Sequence, residues 1–219
     1  MTTLEEYELR QAAVDIGIAL DDATIDRLGR FVDLLGIWNR RVRLTGDRDS
    51  RVLVRKHVVD SLAVLPELPP SGMLVDVGSG AGFPGIVLGC GRPDLTLRLL
   101  EPRRRPTSFL SEVIRTIPLP RAKALELRGE DAAADASLAR QARLVVSRAL
   151  RLDVLLRVGH PLLAPGGIII AMQTPSVHVG DVRERAARRG VQLLRVRDYG
   201  LPDGESRRLL IFARAMEAG

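Results

Sequence analysis

Between Asp76 and Gly85 the chain reads Asp-Val-Gly-Ser-Gly-Ala-Gly-Phe-Pro-Gly, the densest chemical signal in its 219 residues. Glycine has no Cβ, so Gly78, Gly80 and Gly82 let the backbone turn sharply and lie against a ligand, and Pro84 suits the first turn of a following helix. Further on, Glu101 ends a short apolar run, where a carboxylate can accept hydrogen bonds from ribose hydroxyls. Glycines, helix start and acid together are the chemistry of holding a nucleoside-bearing cofactor.

Two such cofactors fit the spacing. Gly80, Gly82 and Gly85 stand at the intervals of a dinucleotide-binding turn, with Glu101 as its ribose acid. Asp76, Gly78, Gly80 and Gly82 stand equally at those of the loop that holds S-adenosylmethionine in methyltransferases, which also uses an acid at the end of the second strand. Glycines that merely build a tight turn are a third reading. Three features lean towards the methyl donor: the glycines begin directly after the strand's acid, the chain closes with a hairpin after its fifth strand, and Leu163-Ala164-Pro165-Gly166-Gly167 precedes that strand. A dinucleotide oxidoreductase would also need substrate machinery beyond a chain of this length. On the methyl-donor reading, Asp76, Gly78, Gly80, Gly82 and Glu101 bind the cofactor.

The elements that must position this loop follow from apolar periodicity. Asp21 or Asp22 caps a helix whose apolar residues Ile25, Leu28, Phe31, Val32, Leu35 and Trp38 recur at steps of three and four. Helices before it, about 4–20, and after it, about 52–65, follow from the same pattern. Pro66, Pro69, Pro70 and Gly72 then punctuate the chain, and the texture changes to short apolar runs separated by helical stretches. The runs are 73–77, 95–100, 124–127, 144–147, 168–172, 191–197 and 209–213. Such alternation implies an α/β fold with a mostly parallel sheet covered on both faces. The short Tyr199–Glu205 connection makes the last two runs an antiparallel hairpin at the sheet edge. The expectation is a seven-stranded Rossmann-like methyltransferase domain over 66–219, with a helical extension, 1–65, packed on it as one structural unit.

Composition narrows the class. Hydrophobic residues at 46% and charged residues at 27% are those of a globular chain, and aromatics at 3% leave the core to aliphatic side chains. There is no apolar run of about 18 residues, and the first ten residues carry three glutamates where a signal peptide would be basic and then apolar. A cytoplasmic, membrane-free, monomeric protein is expected. Cys90 has no disulfide partner, and His57, His160 and His178 lack metal-ligand spacing, so no metal is expected. Net charge is +6, and it is regional: residues 1–35 hold eight acids to three bases, whereas 36–60 and 101–128 each hold seven bases to three acids. A polyanionic partner would use such patches, Arg40, Arg41 and Arg43 in one and Arg103, Arg104 and Arg105 in the other.

Several ordered motifs resemble those of one family, the bacterial 16S ribosomal RNA guanine-N7 methyltransferases, also called glucose-inhibited division protein B. Trp38-Asn39, Leu44-Thr45 and His57-Val58-Val59-Asp60-Ser61 match its N-terminal signature in order and spacing, 76–86 matches its glycine loop, and Ser147-Arg148-Ala149 matches the end of its fourth strand. The resemblance implies that Gly78 and Phe83 touch the cofactor, that Glu101 holds its ribose and that Gly129 and Glu130 flank its adenine. It places Arg148 beside donor and target as the catalytic residue, and makes ribosomal RNA or the small-subunit particle the partner, with the target guanine in the 530 loop. Trp38 reads as core, His57 as a hydrogen-bonded structural residue with Asp60 for a partner, Asp131 as solvated and Cys90 as a small buried apolar residue. Arg43 stands where the family usually has asparagine, and Gln173 where it usually has lysine. A divergent paralogue acting on another RNA or on a small molecule, or a basic assembly factor with a vestigial pocket, are the alternatives.

Overall fold

The amphipathic stripe expected near the N-terminus forms α2 (Asp22–Asn39), which begins where the Asp21 carboxylate accepts the Thr24 amide at 2.7 Å. Its residues Ile25, Leu28, Phe31, Val32 and Leu35 are buried. The structure is a computed structural model that describes residues 1–176 and 178–215. Ahead of α2, a capping box of Thr2 and Glu5 starts α1 (Thr3–Asp15). That helix stops well short of residue 20, because Gly17 turns the chain out through a left-handed φ of +78°. The third helical segment starts and ends slightly earlier than its periodicity predicts. It runs through α3 (Ser50–Val52), a π-helical stretch (Leu53–Val58) and α4 (Val59–Leu62).

The seven strands are β1 (Met73–Val77), β2 (Thr96–Leu100), β3 (Ala122–Leu125), β4 (Ala142–Ser147), β5 (Leu163–Gln173), β6 (Val191–Gly200) and β7 (Ser206–Arg214). They form one sheet in the order β3-β2-β1-β4-β5-β7-β6. The first five pair in parallel, and β7 pairs antiparallel with both β5 and β6. The hairpin is therefore at the edge as expected, with its second strand inserted between β5 and the outermost β6. Two bounds differ from expectation. β3 starts at Ala122 rather than Ala124, since its pairing partner Leu97 reaches back that far, and the Leu-Ala-Pro-Gly-Gly segment belongs to β5 instead of preceding it.

Crossover helices α5 (Gly85–Gly91) and α6 (Arg104–Thr116) pack on one face, with α7 (Leu152–Gly159) and α8 (Val179–Ala187) on the other. Alternation along β1 feeds both layers: Leu74 joins the core that also contains Leu9, Phe31 and Val58 from the N-terminal helices, whereas Val75 and Val77 join Leu155, Ile169 and Phe212 opposite. The N-terminal helices share a hydrophobic core with the sheet. Among the described residues no helix is long and apolar enough to cross a membrane, and no group of three or more His, Cys, Asp or Glu side chains could hold a metal ion. With β1 flanked by β2 and β4, chain order reverses at the C-terminal ends of these three strands, where a doubly wound sheet opens a crevice.

Candidate active site

Side-chain and backbone hydrogen bonds staple the three strand ends together at that crevice. The amides of Gly78 and Ser79 donate to the Leu100 carbonyl at 2.8 and 3.1 Å, tying β1 to β2. The Ser147 hydroxyl donates to the Val77 carbonyl at 2.7 Å and accepts the Leu150 amide at 3.2 Å, tying β4 to β1. Between these ties Gly78, Gly80 and Gly82 all take positive φ. At Gly80 this is a requirement of conformation, at +52°, and not of space: a Cβ there would meet only the Gly78 carbonyl oxygen, at 3.9 Å. A ligand can thus lie against bare backbone at this point.

Asp76 lies on the α5 face of β1 and is fully buried. Its Oδ2 accepts the Gly85 amide at 3.0 Å, and among the described residues its Oδ1 has no hydrogen-bond partner. Gly85 is glycine for close approach, because a Cβ there would lie 2.4 Å from Leu99 and 2.6 Å from Asp76 Oδ2. Burial pushes the Asp76 carboxyl up to about 7. What Asp76 does here is hold the loop against α5.

Glu101 is 3% exposed and reaches the loop from the end of β2. One oxygen accepts the Gly80 amide at 3.0 Å, and the other accepts the Arg103 amide at 3.0 Å and Arg103 Nε at 2.8 Å. Gly129, beyond β3, fits closely against Val77 and Val158, and Glu130 is half-exposed, with Oε1 3.1 Å from an Arg157 guanidinium nitrogen. A nucleoside-bearing cofactor fits this set: an open backbone shelf at Gly80, a carboxylate beside it with lone pairs for sugar hydroxyls, and the segment after β3 closing the far side.

On the β4 side of the loop lies a cleft of 520 Å³, lined in part by Lys56, His57, Asp60, Arg148, Gln173 and Arg207. Ala149 and Leu150 also line it, and they are the residues that a Cβ on Gly78 would touch, so cleft and cradle share a wall. Arg148 stands at this junction. Its guanidinium lies 5.1 Å above the Phe83 ring, and Nη1 donates to Asp60 Oδ2 at 3.2 Å. Phe83 itself is 5% exposed, wedged between Phe31 and the His57 ring at centroid distances of 5.3 and 5.2 Å.

His57 corrects an expectation. Its Nε2 pairs with Asp47 Oδ2 at 2.7 Å, not with Asp60, whose carboxylate takes Arg148 and the Tyr199 hydroxyl. The two side chains leave the helical segment in different directions, His57 towards the 40–49 loop and Asp60 towards the hairpin. Burial and then the charge of Arg148 hold the His57 pKa below its ordinary value, so the ring is neutral near pH 7. Asn39, also buried, fixes the 40–49 loop by donating to the Asp47 carbonyl at 2.9 Å and accepting the Leu44 and Thr45 amides at 2.8 and 3.1 Å. Trp38, partly buried, packs on the core with its ring 5.6 Å from Phe109, Cys90 is buried, and Asp131 is exposed. Tyr199, Arg207 and Asp47 are site residues that sequence reasoning missed, and no local pattern marks them; Asn39 stood in the Trp38-Asn39 motif, without a role assigned to it.

The two basic patches flank the same end of the sheet. Arg40, Arg41 and Arg43 are exposed on the 40–49 loop, and Arg104 and Arg105 are exposed at the start of α6. Arg103 is committed to Glu101, although its side chain remains 68% exposed.

Known proteins resemble this chain both in sequence and in fold. The family model described as rRNA small subunit methyltransferase G matches residues 24–202. A ribosomal RNA small subunit methyltransferase G of Syntrophus aciditrophicus is 36% identical over 213 residues, 94% of this chain and 88% of the relative. Another, of Anaeromyxobacter dehalogenans, is 38% identical over 188 residues, 85% of this chain and 86% of the relative. Among solved structures, the Bacillus subtilis m1A22 tRNA methyltransferase TrmK superposes with a TM-score of 0.57 at 14% identity, covering 72% of this chain and 66% of that one. TYW2 of Methanocaldococcus jannaschii, in complex with AdoMet, does so with a TM-score of 0.56 at 14% identity, covering 72% and 76%. Those two likenesses show the fold, a Rossmann-like methyltransferase sheet. The family match runs from α2 to the hairpin and the relatives align along most of both chains, and so the chain belongs to the rRNA small subunit methyltransferase G family.

Proposed function

We propose that this methyltransferase transfers the methyl group of S-adenosylmethionine to N7 of a guanine in the 530 loop of 16S ribosomal RNA. The observation that carries the reading is Arg148: one guanidinium, lying over the Phe83 ring and held by Asp60, stands where the glycine cradle and the cleft meet. Gly78, Gly80, Gly82 and Glu101 hold the cofactor, Gly129 and Glu130 lie at its adenine, and Asp76 keeps the loop in shape. When bound, S-adenosylmethionine supplies an electrophilic methyl group on a sulfonium.

Guanine N7 carries a lone pair and no proton, so the acceptor needs no base. What is left to the chain is alignment within about 3 to 3.5 Å of the reacting atoms. The remaining N–H groups of Arg148 suit guanine O6, the acceptor next to N7. His57, kept neutral with its one N–H donated to Asp47, serves as packing beside the cleft. In A-form RNA the major groove is too deep and narrow for this edge to be reached, so the target base is unpaired or flipped out. Arg40, Arg41, Arg43, Arg104 and Arg105 take the flanking phosphates.

Mass spectrometry of nucleosides from 16S ribosomal RNA incubated with the protein and S-adenosylmethionine tests the proposal. The expected product is 7-methylguanosine. Methyl groups on a ribose hydroxyl, an exocyclic amine or cytosine would overturn the N7 assignment.

A further inference from the structure

Three segments distant in the chain meet at one carboxylate beside the cleft. Asp60, on α4, is 3% exposed. Its Oδ1 accepts the Tyr199 hydroxyl of β6 at 2.6 Å and lies 4.0 Å from Arg207 Nε of β7, while its Oδ2 accepts Arg148 Nη1 from the end of β4 at 3.2 Å. A carboxylate is buried at such a point only when its charge is met, and here hydrogen-bond donors from the end of β4 and from β6, with the Arg207 cation of β7, meet it.

We propose that Asp60, anchored by Tyr199, is a positioning residue for methyl transfer: it sets the rotation of the Arg148 guanidinium at the mouth of the cleft. The inference rests on reading that cleft as the guanine site. A guanidinium is a rigid planar fork, so two constraints orient it. The Phe83 ring, with its centroid 5.1 Å from the guanidinium carbon, supports the group from one side, and the hydrogen bond to Asp60 fixes which way its fork points. Without the second constraint Arg148 keeps its charge and its place over the ring, but its N–H groups no longer point one way. Tyr199 makes Asp60 itself stationary. Burial and then the Asp60 charge push the phenol's pKa upward, so the hydroxyl keeps its proton and donates throughout the working range. The C-terminal hairpin, whose Arg207 also lines the cleft, is through this contact a part of the active-site assembly.

The test is single-turnover methylation of unmethylated small ribosomal subunits and of protein-free 16S ribosomal RNA by four variants, with RNA and S-adenosylmethionine affinities measured alongside. Asp60→Asn keeps the volume and removes the charge. It should slow transfer about tenfold, the scale of one charge-assisted hydrogen bond, and leave both affinities within about twofold. Tyr199→Phe keeps Asp60 charged and the fold intact, and should slow transfer about threefold in the same rate-only manner. Arg148→Ala should slow transfer more than either. The double variant Asp60→Asn/Arg148→Ala should be no slower than Arg148→Ala alone, since Asp60 acts through Arg148; a merely structural Asp60 would give additive losses. Wild-type rates for both Asp60→Asn and Tyr199→Phe, full additivity in the double variant, or a loss confined to RNA affinity would overturn the proposal. A wild-type protein that transfers no methyl group to guanine would instead defeat the reading of the cleft.

Discussion

The carboxylate of Glu101 accepts the amide of Gly80 at 3.0 Å, so the middle of the glycine loop is fastened to the acid at the end of β2. Loop shape and acid position are therefore one property. Glu101→Gln preserves the volume but halves the acceptor capacity shared by Gly80 and Arg103. Hydrogen bonds to charged groups contribute about 1.5–3 kcal/mol, so affinity for S-adenosylmethionine should fall about ten- to hundredfold by calorimetry. An unchanged affinity would place the cofactor elsewhere.

The loop's glycines should separate by cause. Gly85→Ala drives a Cβ to within 2.4 Å of Leu99 and 2.6 Å of Asp76, and overpacking of this kind costs about 1–3 kcal/mol, seen as a lowered Tm. Gly80→Ala meets open space and costs only the left-handed backbone, about 1–2 kcal/mol. Its effect should appear chiefly as weakened cofactor binding. A Gly80→Ala protein that binds normally would show the shelf to be unused.

Stability should carry the signature of Asp76. Its folded pKa, about 7, lies above its ordinary 3.8, so the native state binds the extra proton and this group's contribution is fully present below 3.8 and is lost as pH rises from there through about 7. His57 acts in the opposite sense: its depressed pKa gives stability present above its ordinary 6.5 and lost as pH falls below it. Denaturant titrations of Asp76→Asn should lack the first slope while retaining the second. An unaltered pH profile in that variant would refute the burial effect on Asp76.

The single-turnover rate should be flat between about pH 6.5 and 8.5, because the nucleophile is already unprotonated and no side chain need titrate. His57→Gln should lower stability, by loosening its contacts with Asp47 and Phe83, more than it lowers the rate. A bell-shaped profile that flattens in His57→Gln would make the histidine a proton carrier.

RNA affinity should fall steeply with salt. Each phosphate contact removed by charge reversal at Arg40, Arg41, Arg43, Arg104 or Arg105 should reduce the slope of log affinity against log salt by about 0.7–0.9. Arg103→Ala, by contrast, should weaken cofactor binding as well, since Arg103 neutralises Glu101. Equal slopes for wild type and a fivefold-reversed variant would mean the patches touch no RNA.

The glycine loop, the order of strands and helices, the terminal hairpin and the core role of Trp38 were legible in the sequence. All are written in local currency: a period of two or about 3.6 residues, a cap, or a residue that tolerates positive φ. Bounds were less so. Gly17 ended α1 early, and β3 began two residues sooner than its apolar run because pairing with β2, not hydrophobicity, sets where a strand starts.

What only the tertiary structure decided is who meets whom at the strand ends. Asp60 is three residues from His57 in sequence, yet its partners lie 88 and 139 residues away, at Arg148 and Tyr199, while His57 turns to Asp47. The parallel crossovers return β4 beside β1, and the hairpin folds back against β5, so that chain segments with no common periodicity converge at one edge. A buried carboxylate pairs with whatever cations and donors that topology delivers, and nothing in the spacing of residues along the chain encodes the meeting.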